Sequence, residues 1–297
     1  MNLAPYFLLP DGRLRAGWRL LLFIVGWFCA SGLVGWLFHG IVHGAPLLSI
    51  LIFHTATGLI TWIMLRVFDR RPFADVGLGL GEGWWRLLGC GTLVGMGTVA
   101  AVAGSLLGIA DVQLTSAESV NSSPLLAIFT TTSLLVLAAC FEEVLFRGYP
   151  FQRLVEGIGA TGAVLVSSTL FGLVHWNNPS ASPLSTTNTV LAGVVLALAY
   201  LRTQSLWYPI GWHVGWNWSL GLTGFPVSGL DLFDVPWSAA GPPATAWLHG
   251  ADYGPEGGAV ATVVLISMSA MLWLCPGKLG CRRLPEPLLN ISPSDPQ

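Results

Sequence analysis

Apolar residues fill this chain in long blocks, and polar residues collect where the blocks end. Eight stretches approach the roughly 20 mostly apolar residues that a bilayer-spanning helix needs. They are 17–38, 46–67, 87–110, 124–147, 159–176, 187–202, 206–224 and 257–275. The sixth is short, and the fourth carries charges at its end. The pattern predicts an all-α fold, a polytopic membrane helical bundle with about eight transmembrane helices. Packed membrane helices leave little room for soluble domains, so residues 1–284 read as a single transmembrane helical domain with its polar motifs at 124–224. The closing stretch "LPEPLLNISPSDPQ" reads as disordered, giving a cytoplasmic tail over 285–297.

Charge then orients the bundle. Arg13, Arg15 and Arg19 lie at the start of span one, and Arg66, Arg70, Arg71 and Arg86 flank the loop after span two. Arg147 and Arg153 end span four, Arg202 ends span six, and Lys278, Arg282 and Arg283 follow span eight. The alternate loops hold Asp111, Glu118, Asp231, Asp234, Asp252 and Glu256 but no Lys or Arg. The positive-inside rule makes both termini cytoplasmic, and an even number of spans preserves the alternation. Composition agrees, with 53% hydrophobic residues, 9% charged and a mean hydropathy of +0.67, where soluble domains are about a quarter charged.

Other features exclude more than they assign. The first span is too long for a signal peptide, and no small-residue cleavage site follows it. Cys29, Cys90, Cys140, Cys275 and Cys281 form no CxxC pair and read as packing residues or free thiols. A net charge of −2 gives no sign of a nucleic-acid partner. Short loops and the lack of a recognisable eukaryotic targeting signal point to a bacterial inner membrane. The loop 225–256 is rich in Gly, Pro, Trp and Asp, and nothing in it dictates chemistry.

The polar residues inside the apolar blocks carry the functional signal. A charge near the bilayer centre costs about 3 kcal/mol on insertion scales, so such groups face a protein interior or a wet cavity. "AACFEEVLFRGYPFQ" places Glu142, Glu143 and Arg147 at the end of span four. "STLFGLVHWNN" ends span five on His175, and "YPIGWHVGWNW" carries His213 and Asn217 within span seven. His213 and Asn217 are four apart and share a helix face, as do Glu143 and Arg147. Glu142 is rotated about 100° from Glu143, so one carboxylate faces a cavity while the other packs or pairs. Spans four and five form a hairpin with its turn near Glu156–Gly162. Counting about sixteen residues each way from that turn sets Glu142 opposite Leu173–His175. His213 reaches the same level, in the cytoplasmic half of the membrane.

A carboxylate beside a histidine in a partly dry cavity can hold and deprotonate water. A second histidine with an amide one turn on can donate to an oxyanion. The same residue types can instead hold zinc, through Glu142, His175 and His213. Taken singly, each residue has a plainer reading: Glu143–Arg147 as a structural ion pair, Asn217 as an interhelical hydrogen bond, His175 as an interfacial side chain.

Together the motifs resemble those of the CAAX protease and bacteriocin-processing family, also called the Abi or type II CAAX prenyl endopeptidase family. "EEVLFR" (Glu142 to Arg147) is similar to its EExxxR motif, "FGLVH" (Phe171 to His175) to FxxxH, and "HVGWN" (His213 to Asn217) to HxxxN/D. All three occur in the family's order. The resemblance implies an intramembrane endopeptidase acting on membrane-associated or lipid-anchored peptides or proteins. It implies Glu142 as general base with His175, an oxyanion hole of His213 and Asn217, and support from Glu143 and Arg147. Eukaryotic members cut the last three residues from prenylated CAAX proteins, whereas bacterial relatives are linked to immunity or peptide maturation. No tightly bound metal is expected, with zinc as the alternative. Two other classes compete: a non-catalytic membrane immunity or scaffold protein, and a proton-coupled transporter. A transporter predicts related halves and helices broken at midplane, and the sequence shows neither.

Overall fold

The computed structural model describes residues 4–38, 46–116 and 124–274. The expected tail at 285–297 lies outside the described residues, as do Glu118, Lys278, Arg282 and Arg283. Within the described residues the chain is an α-helical membrane bundle of eight long helices. They are α1 (Ala16–Leu37), α2 (Pro46–Ile63), α3 (Trp84–Ile109), α4 (Pro124–Arg147), α5 (Tyr149–Val174), α6 (Pro183–Thr203), α7 (Trp207–Leu222) and α8 (Ala259–Leu274). Each falls on one of the expected apolar stretches. Five segments are long and apolar enough to cross a membrane, with Leu126–Val174 counted as one. The other two, α7 and α8, have 16 residues each, about 24 Å, short of the ~30 Å hydrocarbon core.

Two ends of the bundle differ in chemistry. The end holding the α2–α3 and α6–α7 connections is the basic end, where every described Arg except Arg147 lies. Arg19 there pairs with Asp69 and Glu156, and Arg153 joins Asp69 at 3.2 Å and Glu156 at 2.9 Å. This cluster ties α1 to α5 through Asp69, which ends a π-helical turn, Met64–Asp69, continuing α2. At the opposite end a two-stranded antiparallel ribbon pairs β1 (Gln113–Ser116) with β2 (Trp237–Ala240). Those strands, all but one residue exposed, are an addition to the expected all-α plan.

Hydrophobic side chains cover both interior and exterior. Leu21, Leu22, Ile24, Val25 and Phe28 of α1 are exposed, as a lipid-facing surface requires, since hydrocarbon contact is no penalty for them. The most buried candidate span is α6. It starts on a capping box in which the Ser182 hydroxyl accepts from Ser185 N–H at 3.1 Å while Ser185 Oγ accepts from Ser182 N–H at 2.7 Å. Pro183 at its first turn forfeits no needed donor.

Two features of the fold place the polar motifs. The first is the hairpin: α5 carries a break at Gly159, whose φ of 77° and ψ of 168° suit a residue without Cβ. The chain therefore stays helical past Pro150 and reverses at Gly159, inside the expected 156–162. The second is the α3–α7 contact. A Cβ on Gly91 or Gly95 would lie 2.2 or 2.3 Å from the carbonyls of Tyr208 or Trp212. A Cβ on Gly211 or Gly215 would lie 2.2 Å from those of Leu88 or Thr92. Small residues four apart on both helices let the backbones touch, a packing mode common in membranes. Position 213 is about 200° around α7 from both glycines, so the same contact that docks α7 on α3 turns His213 away from it, toward α4 and α5.

Candidate active site

Glu142 lies five residues before the end of α4, and His175 caps α5. The two helices run antiparallel here: Ser167 donates to the Phe146 carbonyl at 2.9 Å, and the Phe146 and Phe171 rings meet edge-on. One turn further along each helix, Glu142 Oε2 stands 3.8 Å from His175 Nε2. It stands the same 3.8 Å from His213 Nε2. That oxygen is buried and has no hydrogen-bond partner among the described residues.

The outer nitrogens of both rings are committed elsewhere. His175 Nδ1 is 2.7 Å from the Phe171 carbonyl, which only accepts, so Nδ1 carries the hydrogen. His213 Nδ1 is 3.0 Å from Glu143 Oε1. Glu143 Oε1 also accepts from Arg147 Nη1 at 3.0 Å, and Glu143 and Arg147 are fully buried. A carboxylate paired with Arg accepts only, so it fixes the Nδ1–H form of His213. Arg147 Nη2 donates to the Gly193 carbonyl at 3.3 Å, and its guanidinium lies 4.2 Å from the Phe171 ring centroid. Three acceptor atoms, one carboxylate oxygen and two ring nitrogens, thus converge on a space with no hydrogen of their own in the neutral-ring form.

The two adjacent carboxylates divide as their 100° offset requires, one toward the cavity and one into an ion pair. Both nevertheless meet His213, because an imidazole presents a nitrogen to each side. Asn217, one turn beyond His213, lines the same cavity of about 360 Å³ with Glu142, His175 and His213.

The remaining walls come from residues without an evident role in the sequence. Leu134, Leu135 and Ala138 of α4, Trp212 and Trp216 of α7, and Leu265 of α8 are apolar wall. Val227, Ser228, Leu230, Leu232 and Glu256 of the 225–256 loop form a roof. Asn178 donates to the Ser228 carbonyl at 3.1 Å and fastens that roof to the end of α5. The cavity therefore adjoins the strand-end loops, and His175 lies about 24 Å along α5 from the Gly159 turn. This differs from a site in the half toward the basic end. The reason is that α5 stops at His175, so the loops descend to its level.

A zinc ion makes a demanding comparison. Histidines whose second nitrogen bonds a carbonyl or carboxylate are the usual metal-site pattern. Tetrahedral zinc with bonds of about 2.0–2.1 Å, however, sets its ligands about 3.3 Å apart. The 3.8 Å separations are wider, and no group of three His, Cys, Asp or Glu is placed to hold a metal ion among the described residues. The 3.8 Å separations thus fall between the ~3.3 Å of tetrahedral zinc ligands and the ~4.6 Å of two acceptors sharing one water.

Comparison with known proteins isolates the same region. A family model described as type II CAAX prenyl endopeptidase Rce1-like matches residues 124–219. A Bacillus subtilis protein named "Putative membrane peptidase YdiL" is 30% identical over 105 residues, 34% of this chain and 41% of that protein. The chain thus spans under half the length of this relative. No solved structure matches the chain. The segment from α4 to α7, with its two glutamates, two histidines and asparagine, is thus the part of the chain that is similar to the type II CAAX prenyl endopeptidase Rce1-like family.

Proposed function

We propose that the protein is an intramembrane endopeptidase that hydrolyses peptide bonds of membrane-associated or lipid-anchored substrates with a water activated by Glu142 and His175. The observation that carries this reading is the buried, unpartnered Glu142 Oε2, equidistant from two histidine nitrogens. A water there donates one hydrogen to Glu142 and the other to His175 Nε2. Its oxygen then attacks the scissile carbonyl as Glu142 takes the proton. The resulting oxyanion is met by the Asn217 amide and by His213 Nε2. Because His213 Nδ1–H is held by Glu143, donation from Nε2 requires the doubly protonated ring, balanced by that buried carboxylate. Glu142 finally passes its proton to the leaving amine, so the products are a carboxyl group and an amine. This reading involves no metal ion. The matched segment is one domain with the rest of 1–284, in a bacterial inner membrane with both termini cytoplasmic. The charge asymmetry of the loops supports that orientation.

The test is turnover of a membrane-peptide library by the full chain in lipid vesicles. Glu142→Gln and His175→Ala are expected to remain folded and to lose about 10²–10⁴-fold in kcat. Variants that cleave like the parent refute the assignment of these residues, and a parent that cleaves nothing favours the scaffold reading.

A further inference from the structure

The cavity has a second carboxylate, on its roof. Glu256 Oε1 accepts from Trp216 Nε1–H at 2.8 Å, and Glu256 Oε2 accepts from the Ser228 backbone N–H and, at 2.9 Å, from the Ser228 hydroxyl. All three donors are neutral, and no ion pair involves Glu256 among the described residues. Such donors hold the carboxylate in place without cancelling its charge. Glu256 therefore presents a fixed, uncompensated negative charge at a half-buried wall of the site.

The rest of the lining sharpens this. Among the described residues no Lys or Arg lines the cavity, whose ionisable residues are Glu142, His175, His213 and Glu256. The buried Arg147 stands behind Glu143 and is paired with it. The strand-end surface around the roof carries Asp111, Asp231, Asp234 and Asp252 and no Lys or Arg among the described residues. The positive-inside rule accounts for the missing Lys and Arg there, but it does not call for acids. A free C-terminal carboxylate, which the leaving tripeptide of a CAAX protein bears, meets Glu142 and Glu256 in this cavity and no Lys or Arg among the described lining residues. A cation is attracted both to the surface and to the wall.

Resting on the peptidase reading, we propose that Glu256 forms a specificity subsite for a cationic group of the substrate. That group is an ammonium or guanidinium, carried by a lysine or arginine side chain or by a free N-terminus. The apolar walls of Leu134, Leu135, Leu230 and Leu232 hold the intervening segment. Trp216 links the subsite to the reaction centre, since it lies on α7 between His213 and Asn217 and holds Glu256 through its indole.

Binding and cleavage separate this proposal from the reading it rests on. Fluorescent membrane peptides are prepared as pairs that carry lysine or norleucine at each position, with free or acetylated N-termini and with carboxylate or amide C-termini. Binding to the full chain in nanodiscs is measured in the Glu142→Gln background, where peptides persist, and cleavage is measured with the parent. Lysine at one register, or a free N-terminus, is expected to bind about tenfold tighter than its neutral partner. Glu256→Gln is expected to erase that ratio, whereas a purely structural role lowers both members and leaves the ratio intact. Equal binding of cationic and neutral members, or tighter binding of the C-terminal carboxylates, overturns the subsite. The parent comparison stands even if Glu256→Gln misfolds. Cationic preference without cleavage refutes the peptidase reading while leaving the cation site in place.

Discussion

At the scale of single residues, position decides what a polar group means. Glu142, His175, His213 and Asn217 stood out in the sequence because ionisable or amide groups inside apolar spans are costly. Glu256 did not, because an acid in a Gly- and Pro-rich loop is ordinary, and only the folded roof turns it toward the cavity. The tautomer of His213 was equally invisible, since it depends on Glu143 reaching across from α4. The spacing did reveal Glu143 and Arg147 as an i,i+4 pair, and they meet at 3.0 Å. Asn217→Ala provides a prediction at this scale. Loss of one oxyanion donor is expected to lower kcat by about 10²–10³-fold with little change in KM. A change confined to KM would assign Asn217 to substrate binding instead.

Between helices, register and glycine spacing convert separate motifs into one site. Apolar blocks locate the helices to within a few residues except at the start of α5, and counting from the hairpin turn pairs Glu142 with His175 from the sequence alone. Three things escaped that reading. The start of α5 at Tyr149 follows a break at Gly148 that pattern alone merges into span four. The β1–β2 ribbon consists of short polar segments with no core-facing alternation. The α3–α7 backbone contact depends on which faces of two glycine-rich helices meet. That contact predicts a sharp contrast within α3. Gly95→Leu is expected to push α7 away, displace His213, and abolish activity with a lowered thermal midpoint in detergent. Gly97→Ala, where an added Cβ meets nothing within 4 Å, is expected to leave both unchanged. Equal tolerance of both changes would remove the α3–α7 contact from the account of how His213 is aimed.

Across the whole molecule, charge asymmetry connects topology to the site. The basic end holds the buried Arg19–Asp69–Arg153–Glu156 cluster, while the strand end carries only acids among its described charged residues. Buried ions without partners cost several kcal/mol, which ties α1, the π turn and α5 into one unit around that end. With the basic end in the cytoplasm, a fluorescent reporter on either terminus is expected to report a cytoplasmic location. A phosphatase inserted in the 225–256 loop is expected to be active outside it. The opposite pattern would invert the bundle and bring substrate to the roof from the cytoplasm.

The central claim is that Glu142, His175 and His213 surround a single water within the lipid-bounded bundle. A density map of the full chain in lipid, at a resolution that shows ordered solvent, tests it most directly. The account predicts one solvent peak within about 2.6–3.2 Å of Glu142 Oε2 and of both histidine Nε2 atoms. A peak bonded at about 2.0–2.1 Å to all three would identify a metal ion instead, and side chains directed into separate regions would contradict the claim outright.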